Sequence, residues 1–195
     1  MRAFLAVPAD PAWVDSARAM VGRLEPALPH ASWTRPQAWH LTLKFLGEID
    51  ENAAARFSAA IEDAAAAASE GDVASGGGVV LPPRGRPRVL GVGFAPGAGF
   101  ESLARLAAKA ELAAVRIGVA PDGRPFHPHV TLARLRDPWP AAAVGAFRNE
   151  ADRWVFPAWR VRSCVLYRSR LDPSGAVHTP LREWRMSAGA AEVRA

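Results

Sequence analysis

The chain has 195 residues, a net charge of +5 and a hydrophobic content of 50%. A chain of this length suits one domain or two small lobes around a shared core, burying about 70% of its unfolded surface without disulfides or a structural metal. Cys164 is the single cysteine, so an intrachain disulfide is excluded and a reducing, cytoplasmic home is the expectation.

The opening MRAFLAVPADP starts like a signal sequence, but its apolar run is short and Pro8 interrupts it. No apolar stretch reaches the roughly 20 residues a membrane helix needs. Residues 2–7 read as a strand. Asp10-Pro11 reads as an N-cap with proline at the first helical position, opening a helix to about Leu24. Short strands are expected at residues 33–34 and 40–46, on either side of Arg35-Pro36, with the second ended by residues 47–50. Asp50 caps the next helix, which carries the alanine-rich IEDAAAAAS. Two strands follow, near 72–81 and 88–94, joined by a Pro/Arg/Gly loop; Gly76-Gly77-Gly78 lacks the Lys-Ser/Thr of a phosphate-binding loop and reads as a flexible turn. A helix spans about 100–115, and Pro121-Asp122-Gly123 is a turn signal. A strand carries RPFHPHVTLARL, and Asp137-Pro138 opens a short helix to Arg148. Strands near 159–169 and 176–185 close a hairpin around residues 172–175. The domain is expected to span 1–187, with a frayed tail at 188–195. Helices interleaved with strand pairs on short loops give an α+β class with antiparallel sheets.

Two of these strands ask the same chemical question. WHLTLKFLGE and PHVTLARL share His-[Leu/Val]-Thr-Leu, at His40 and His129, about half a chain apart. That spacing suggests two similar lobes. Side chains alternate along a strand, so His40 shares one face with Thr42, and His129 shares one with Thr131, while the intervening apolar residues face a core. If the lobes are related by a pseudo-two-fold, two imidazoles and two hydroxyls meet across a groove. Histidine supplies both an acid and a base near neutrality, and the threonines can donate to non-bridging phosphate oxygens. Phosphoryl transfer on this scheme needs no metal and no cofactor.

These motifs resemble those of the two-histidine (2H) phosphoesterase superfamily, and within it the RNA 2′,3′-cyclic 3′-phosphodiesterases, also called 2′–5′ RNA ligases. HLTLKFLGE, RPFHPHVTLAR, the opening FLAVPADP and the ending VLYRSRLDPSGAVHTPLREW carry the likeness, which spans residues 2 to about 185. The resemblance implies a bilobal α+β fold, with two antiparallel sheets flanking a cleft and helices outside. It implies hydrolysis of a 2′,3′-cyclic phosphate on a ribonucleotide or RNA end, leaving a 2′-phosphate. It makes His40 the proton donor to the departing 3′ oxygen, His129 the acceptor that activates water, and Thr42 and Thr131 the phosphate holders. Arg134 matches a substrate-binding arginine, although strict alternation sets it opposite His129, so it must act from the strand's end. Lys44 shares the His40 face, a peripheral substrate contact whose counterpart is Ala133.

Other residues have blander readings. His127 and His129 form a His-x-His pair, but no third ligand is evident, so no metal site is expected and His127 orients the motif or lines the groove. Trp39, Phe45, Phe126 and Tyr167 can stack on a base at the groove edge, or simply pack in the core. His30 and His178 read as surface or hairpin residues, and Cys164 as strand packing. Arginine supplies nearly all of the 24 basic residues, Lys44 and Lys109 being the only lysines. A composition rich in Ala, Gly, Pro and Arg explains much of that excess; it permits a nucleic-acid partner without establishing one. The expected partner is an RNA end or ribonucleotide bearing a 2′,3′-cyclic phosphate, met by a monomer with no membrane partner. Two alternatives stay open: sealing of such an end to a 5′-hydroxyl by the reverse reaction, and a non-catalytic RNA-binding module.

Overall fold

The computed structural model describes residues 1–28, 31–137, 139–173 and 175–188. The FLAV run is buried on both faces, as an inner strand requires, and forms β1 (Arg2–Pro8). α1 (Pro11–Leu24) begins where the Asp10 carboxylate accepts the Ala12 and Trp13 N–H groups, at 3.0 and 3.3 Å. The two-residue β2 (Ser32–Trp33) leads to β3 (His40–Glu48). α2 (Glu51–Ala67) is capped by Asp50, whose carboxylate accepts from Ala53 N–H at 2.6 Å. β4 (Gly71–Val73), β5 (Ser75–Leu81) and β6 (Val89–Phe94) follow, then α3 (Ala98–Arg116) and β7 (His129–Arg134). α4 (Ala141–Arg153), β8 (Trp159–Val161), β9 (Ser163–Asp172) and β10 (Gly175–Arg185) complete the chain.

The strands form two four-stranded antiparallel sheets, β10-β9-β1-β3 and β2-β7-β6-β5, and a small β4-β8 pair. The two His-x-Thr strands therefore lie in different sheets, and β3 comes against β7. Helices cover the outer faces, and they are exchanged between the halves. α3, which joins β6 to β7, packs on β3 of the first sheet. α1, which follows β1 of the first sheet, sends Trp13 against Phe94 at the end of β6, and its indole N–H donates to Ser75 Oγ of β5 at 2.9 Å. Trp13, Trp159, Phe57 and Phe147 are fully buried in one contiguous core. This is the mixed α/β architecture, with antiparallel sheets, that the sequence implies.

Several boundaries differ. Gly76-Gly77-Gly78 is not a turn but part of β5, where Gly77 takes φ +90° and Gly78 N–H donates to Asp152 Oδ1 at 2.7 Å. The expected strand at 72–81 is split, its first residues pairing with β8 instead. α4 starts at Ala141 rather than at Asp137-Pro138, because the residue before a proline avoids the helical region and Pro140 follows Trp139. It runs to Arg153 and not Arg148. Cys164 is buried packing, as read, and burial pushes its thiol up to about 12. Ser187 is held, its N–H donating to Ala68 O at 2.9 Å and its carbonyl accepting from Glu70 N–H at 2.8 Å. The readings for His30, Pro138, Ser174 and residues 189–195 lie outside the described residues. Among the described residues, no helix is long and apolar enough to cross a membrane.

Candidate active site

The register of each motif strand decides which side chains line the cleft. Opposite residues of an antiparallel pair share a face. On β3, His40 lies opposite Pro8 and Thr42 opposite Ala6. On β7, His129 lies opposite Gly93 and Thr131 opposite Gly91. Both polar pairs thus look onto small neighbours, which leaves the sheet surface open beside them. A Cβ on Gly91 would overlap the Val130 carbonyl oxygen, so that position admits only glycine without a shift of β7.

Each strand then breaks its alternation at the same place. Leu5 pairs with Lys44 and Ala6 with Thr42, leaving Leu43 without an opposite residue. Leu90 pairs with Ala133 and Gly91 with Thr131, leaving Leu132 unmatched. A bulge of this kind reverses the faces beyond it. Arg134 is thereby returned to the His129 face, removing the parity objection. Lys44 goes the other way. It is 7% exposed, on the helix side, with Nζ 2.6 Å from Glu111 Oε2 of α3. The expectation that Lys44 shares the His40 face is therefore corrected: it is a buried structural cation. Its hydrogen bond holds the Glu111 carboxyl below its ordinary range. Phe45 takes the cleft face instead, 55% exposed, in the position that Arg134 occupies on the other strand.

The two imidazoles are held alike. His40 Nδ1–H donates to Ala38 O and His129 Nδ1–H to His127 O, each at 2.8 Å and each two residues back. This bond fixes the ring and leaves Nε2 as the free nitrogen of the neutral form. His127 thus orients the motif through its backbone carbonyl rather than its ring. Burial holds His40 down at about 4, and His178, His129 and Arg134 push in the same direction against the Ala38 bond. Burial also lowers His129, with Arg134 adding to it. Both shifts favour the neutral ring, and an anion between them would favour the charged form.

An aromatic ladder supports His40. Phe4, 2% exposed, stacks on His40 at 4.6 Å between centroids and on Tyr167 at 5.4 Å. Phe45 leans on the same ring at 5.9 Å. His178 of β10 stands edge-on to His40 at 5.1 Å and to Phe4 at 4.9 Å. It is therefore not a mere hairpin residue but a third imidazole at the site. Its Nδ1 is buried with no hydrogen-bond partner among the described residues. Nothing local in AVHTPL signals this; it follows only from the pairing of β10 with β9, of β9 with β1 and of β1 with β3. Thr34 carries no motif of its own either. Its hydroxyl donates to the carbonyls of Thr131 and Leu132, at 2.8 and 2.9 Å, and accepts from the Trp39 indole N–H at 2.9 Å. Trp39 is core, and Phe126 packs against the core. Among the described residues, no group of three or more His, Cys, Asp or Glu is placed to hold a metal.

The chain has clear relatives. The family model described as LigT like Phosphoesterase matches residues 7–91 and 94–178, two stretches of equal length that each carry one His-x-Thr strand. A protein of Methanothermobacter thermautotrophicus named RNA 2′,3′-cyclic phosphodiesterase is 26% identical over 186 residues, covering 95% of this chain and 99% of its own. One of the same name from Aeropyrum pernix is 31% identical over 145 residues, covering 74% and 80%. A crystal structure from Thermus thermophilus superposes with a TM-score of 0.73 at 27% identity, covering 97% of this chain and all of its own. Escherichia coli LigT complexed with 3′-AMP superposes at 0.75 and 23% identity, over 95% and 98%, a likeness of fold.

Proposed function

The chain belongs to the LigT-like phosphoesterases, in the two-histidine superfamily, and on that premise we propose that it hydrolyses RNA 2′,3′-cyclic phosphates to 2′-phosphates without a metal. The observation that carries this reading is the pair of half-buried imidazoles on β3 and β7, each with Nδ1 tied back to the chain and Nε2 left free. His129 takes a proton from the attacking water. The P–O3′ bond breaks, and His40 gives its proton to the departing 3′ oxygen. Thr42, Thr131 and Arg134 hold the non-bridging oxygens as charge grows on them. Binding of the anionic phosphate favours the charged ring and raises His40 from about 4, which is what its role as the acid requires. The relatives named RNA 2′,3′-cyclic phosphodiesterase support the substrate class. Phe45 and Tyr167 share one face through Phe4, which supports reading them as the rings that stack on the base.

The test is turnover of adenosine 2′,3′-cyclic phosphate by His40→Ala and His129→Ala. Each is expected to lose about 10²–10⁴-fold in kcat, with EDTA without effect on the wild type and 2′-AMP the sole product. Wild-type rates in either variant, or a 3′-phosphate product, would overturn the assignment.

A further inference from the structure

The arginine excess is not spread evenly, and one concentration of it continues the cleft. The β5–β6 loop reads PPRGRPR, with Arg84, Arg86 and Arg88 all exposed. Val89, which ends the loop, lies opposite Arg134. Leu135 N–H donates to Arg88 O at 2.9 Å, and the Arg86 guanidinium donates to the carbonyl of Arg136. The loop is thus strapped to the end of β7, and Arg84, Arg86, Arg88, Arg134 and Arg136 gather on one exposed edge. None of the five guanidinium groups pairs with a carboxylate among the described residues. Asp137 is the only acid in either segment. A patch of unpaired guanidinium groups is built for a chain of phosphates, because each phosphate can be met bidentately.

Its position says which phosphates. Arg134 is three residues past Thr131, about 10 Å along the strand, and the loop arginines lie beyond it. A phosphate held between the histidines reaches Arg134 and no further. We propose that this edge carries the RNA chain that runs 5′ from the cyclic end, so that the enzyme distinguishes RNA from a mononucleotide by its backbone. The inference rests on the cyclic-phosphate reading of the cleft.

The triple variant R84Q/R88Q/R136Q tests it and leaves Arg134 and the histidines untouched. Two measurements are made: kcat/KM on adenosine 2′,3′-cyclic phosphate against a ten-nucleotide RNA with a cyclic end, and fluorescence anisotropy of a labelled ten-nucleotide RNA ending in a 2′-phosphate, titrated with salt. The variant is expected to keep the mononucleotide rate within twofold. It should lose about 10–100-fold on the oligomer and flatten the log-affinity against log-salt slope by about 2, at roughly 0.7 per phosphate contact. Unchanged oligomer affinity and slope would overturn the inference, whatever the catalytic result. No turnover of either substrate by the wild type would sink the cyclic-phosphate reading instead, while the anisotropy arm still decides whether the arginine edge binds RNA.

Discussion

At the scale of single residues, His40 ties catalysis to stability. Its folded value, about 4, lies below the ordinary 6.5, because burial opposes the charged ring. Between those values the unfolded chain binds a proton that the folded chain refuses. Stability is therefore fully present above about pH 6.5 and falls as pH drops toward 4. A difference of this size is worth roughly 3 kcal/mol. His129 and His178 are lowered in the same direction and add to the loss. His40→Asn keeps a donor for Ala38 O and removes the titration. Urea midpoints for this variant are expected to vary less between pH 4.5 and 7 than those of the wild type; parallel curves would refute the cause given. The same residue shows what is legible from sequence. The repeated His-x-Thr pairs and their shared face can be read from the pattern alone. His178 cannot, since it comes beside His40 only through three strand pairings and has no motif of its own.

At the scale of elements, the paired bulges do what side-chain alternation cannot. Simple alternation sends Arg134 to the core and Lys44 to the cleft, and a bulge at Leu132 and at Leu43 reverses both. Nothing in HLTLKF or HVTLAR marks a bulge, because leucine is as good before one as within a regular ladder. Its position becomes visible only from the partner strand, where Leu5–Ala6 and Leu90–Gly91 are continuous. On β7 the irregularity is pinned by Thr34, which satisfies the carbonyls on either side of it. Thr34→Val keeps the shape and the Thr34 N–H bond to Leu132 O at 2.8 Å, but removes the hydroxyl from both carbonyls and strands the Trp39 indole N–H, at about 1–3 kcal/mol. It should lower the thermal midpoint and, by loosening Arg134, raise KM more than it lowers kcat; steady-state kinetics at a temperature where the variant is folded separates the two. Gly77 is a comparable lesson. A glycine triplet reads as a turn, yet here it belongs to a strand bent toward α4, with Asp152 accepting from Gly78.

At the scale of the whole molecule, the halves are interlocked by exchange of their helices. The Lys44–Glu111 pair joins a strand of the first half to a helix of the second. Glu111→Gln leaves a lysine that is 7% exposed without its counter-charge and should cost about 2 kcal/mol in urea unfolding. Turnover per folded molecule should hold, since neither group faces the cleft. An unchanged midpoint would mean the pair contributes nothing net. The class of the fold and the two-lobed layout follow from the sequence, because alternating strands and two capped helices are local signals. The exchange does not, since it depends on which face of each helix finds which sheet. The sheet order β10-β9-β1-β3 also has a temporal side. The second sheet has all its strands by Arg134 and its covering helix by Arg153. The first sheet has β1 and β3 from the start, yet waits for β9 and β10. During vectorial synthesis the apolar FLAV strand leaves the ribosome long before β9 and keeps one edge unpaired until β9 follows. Such an edge invites wrong partners. The nascent chain therefore holds an apolar strand open while the whole second sheet is made, and the synthesis of β9 is the step that closes it.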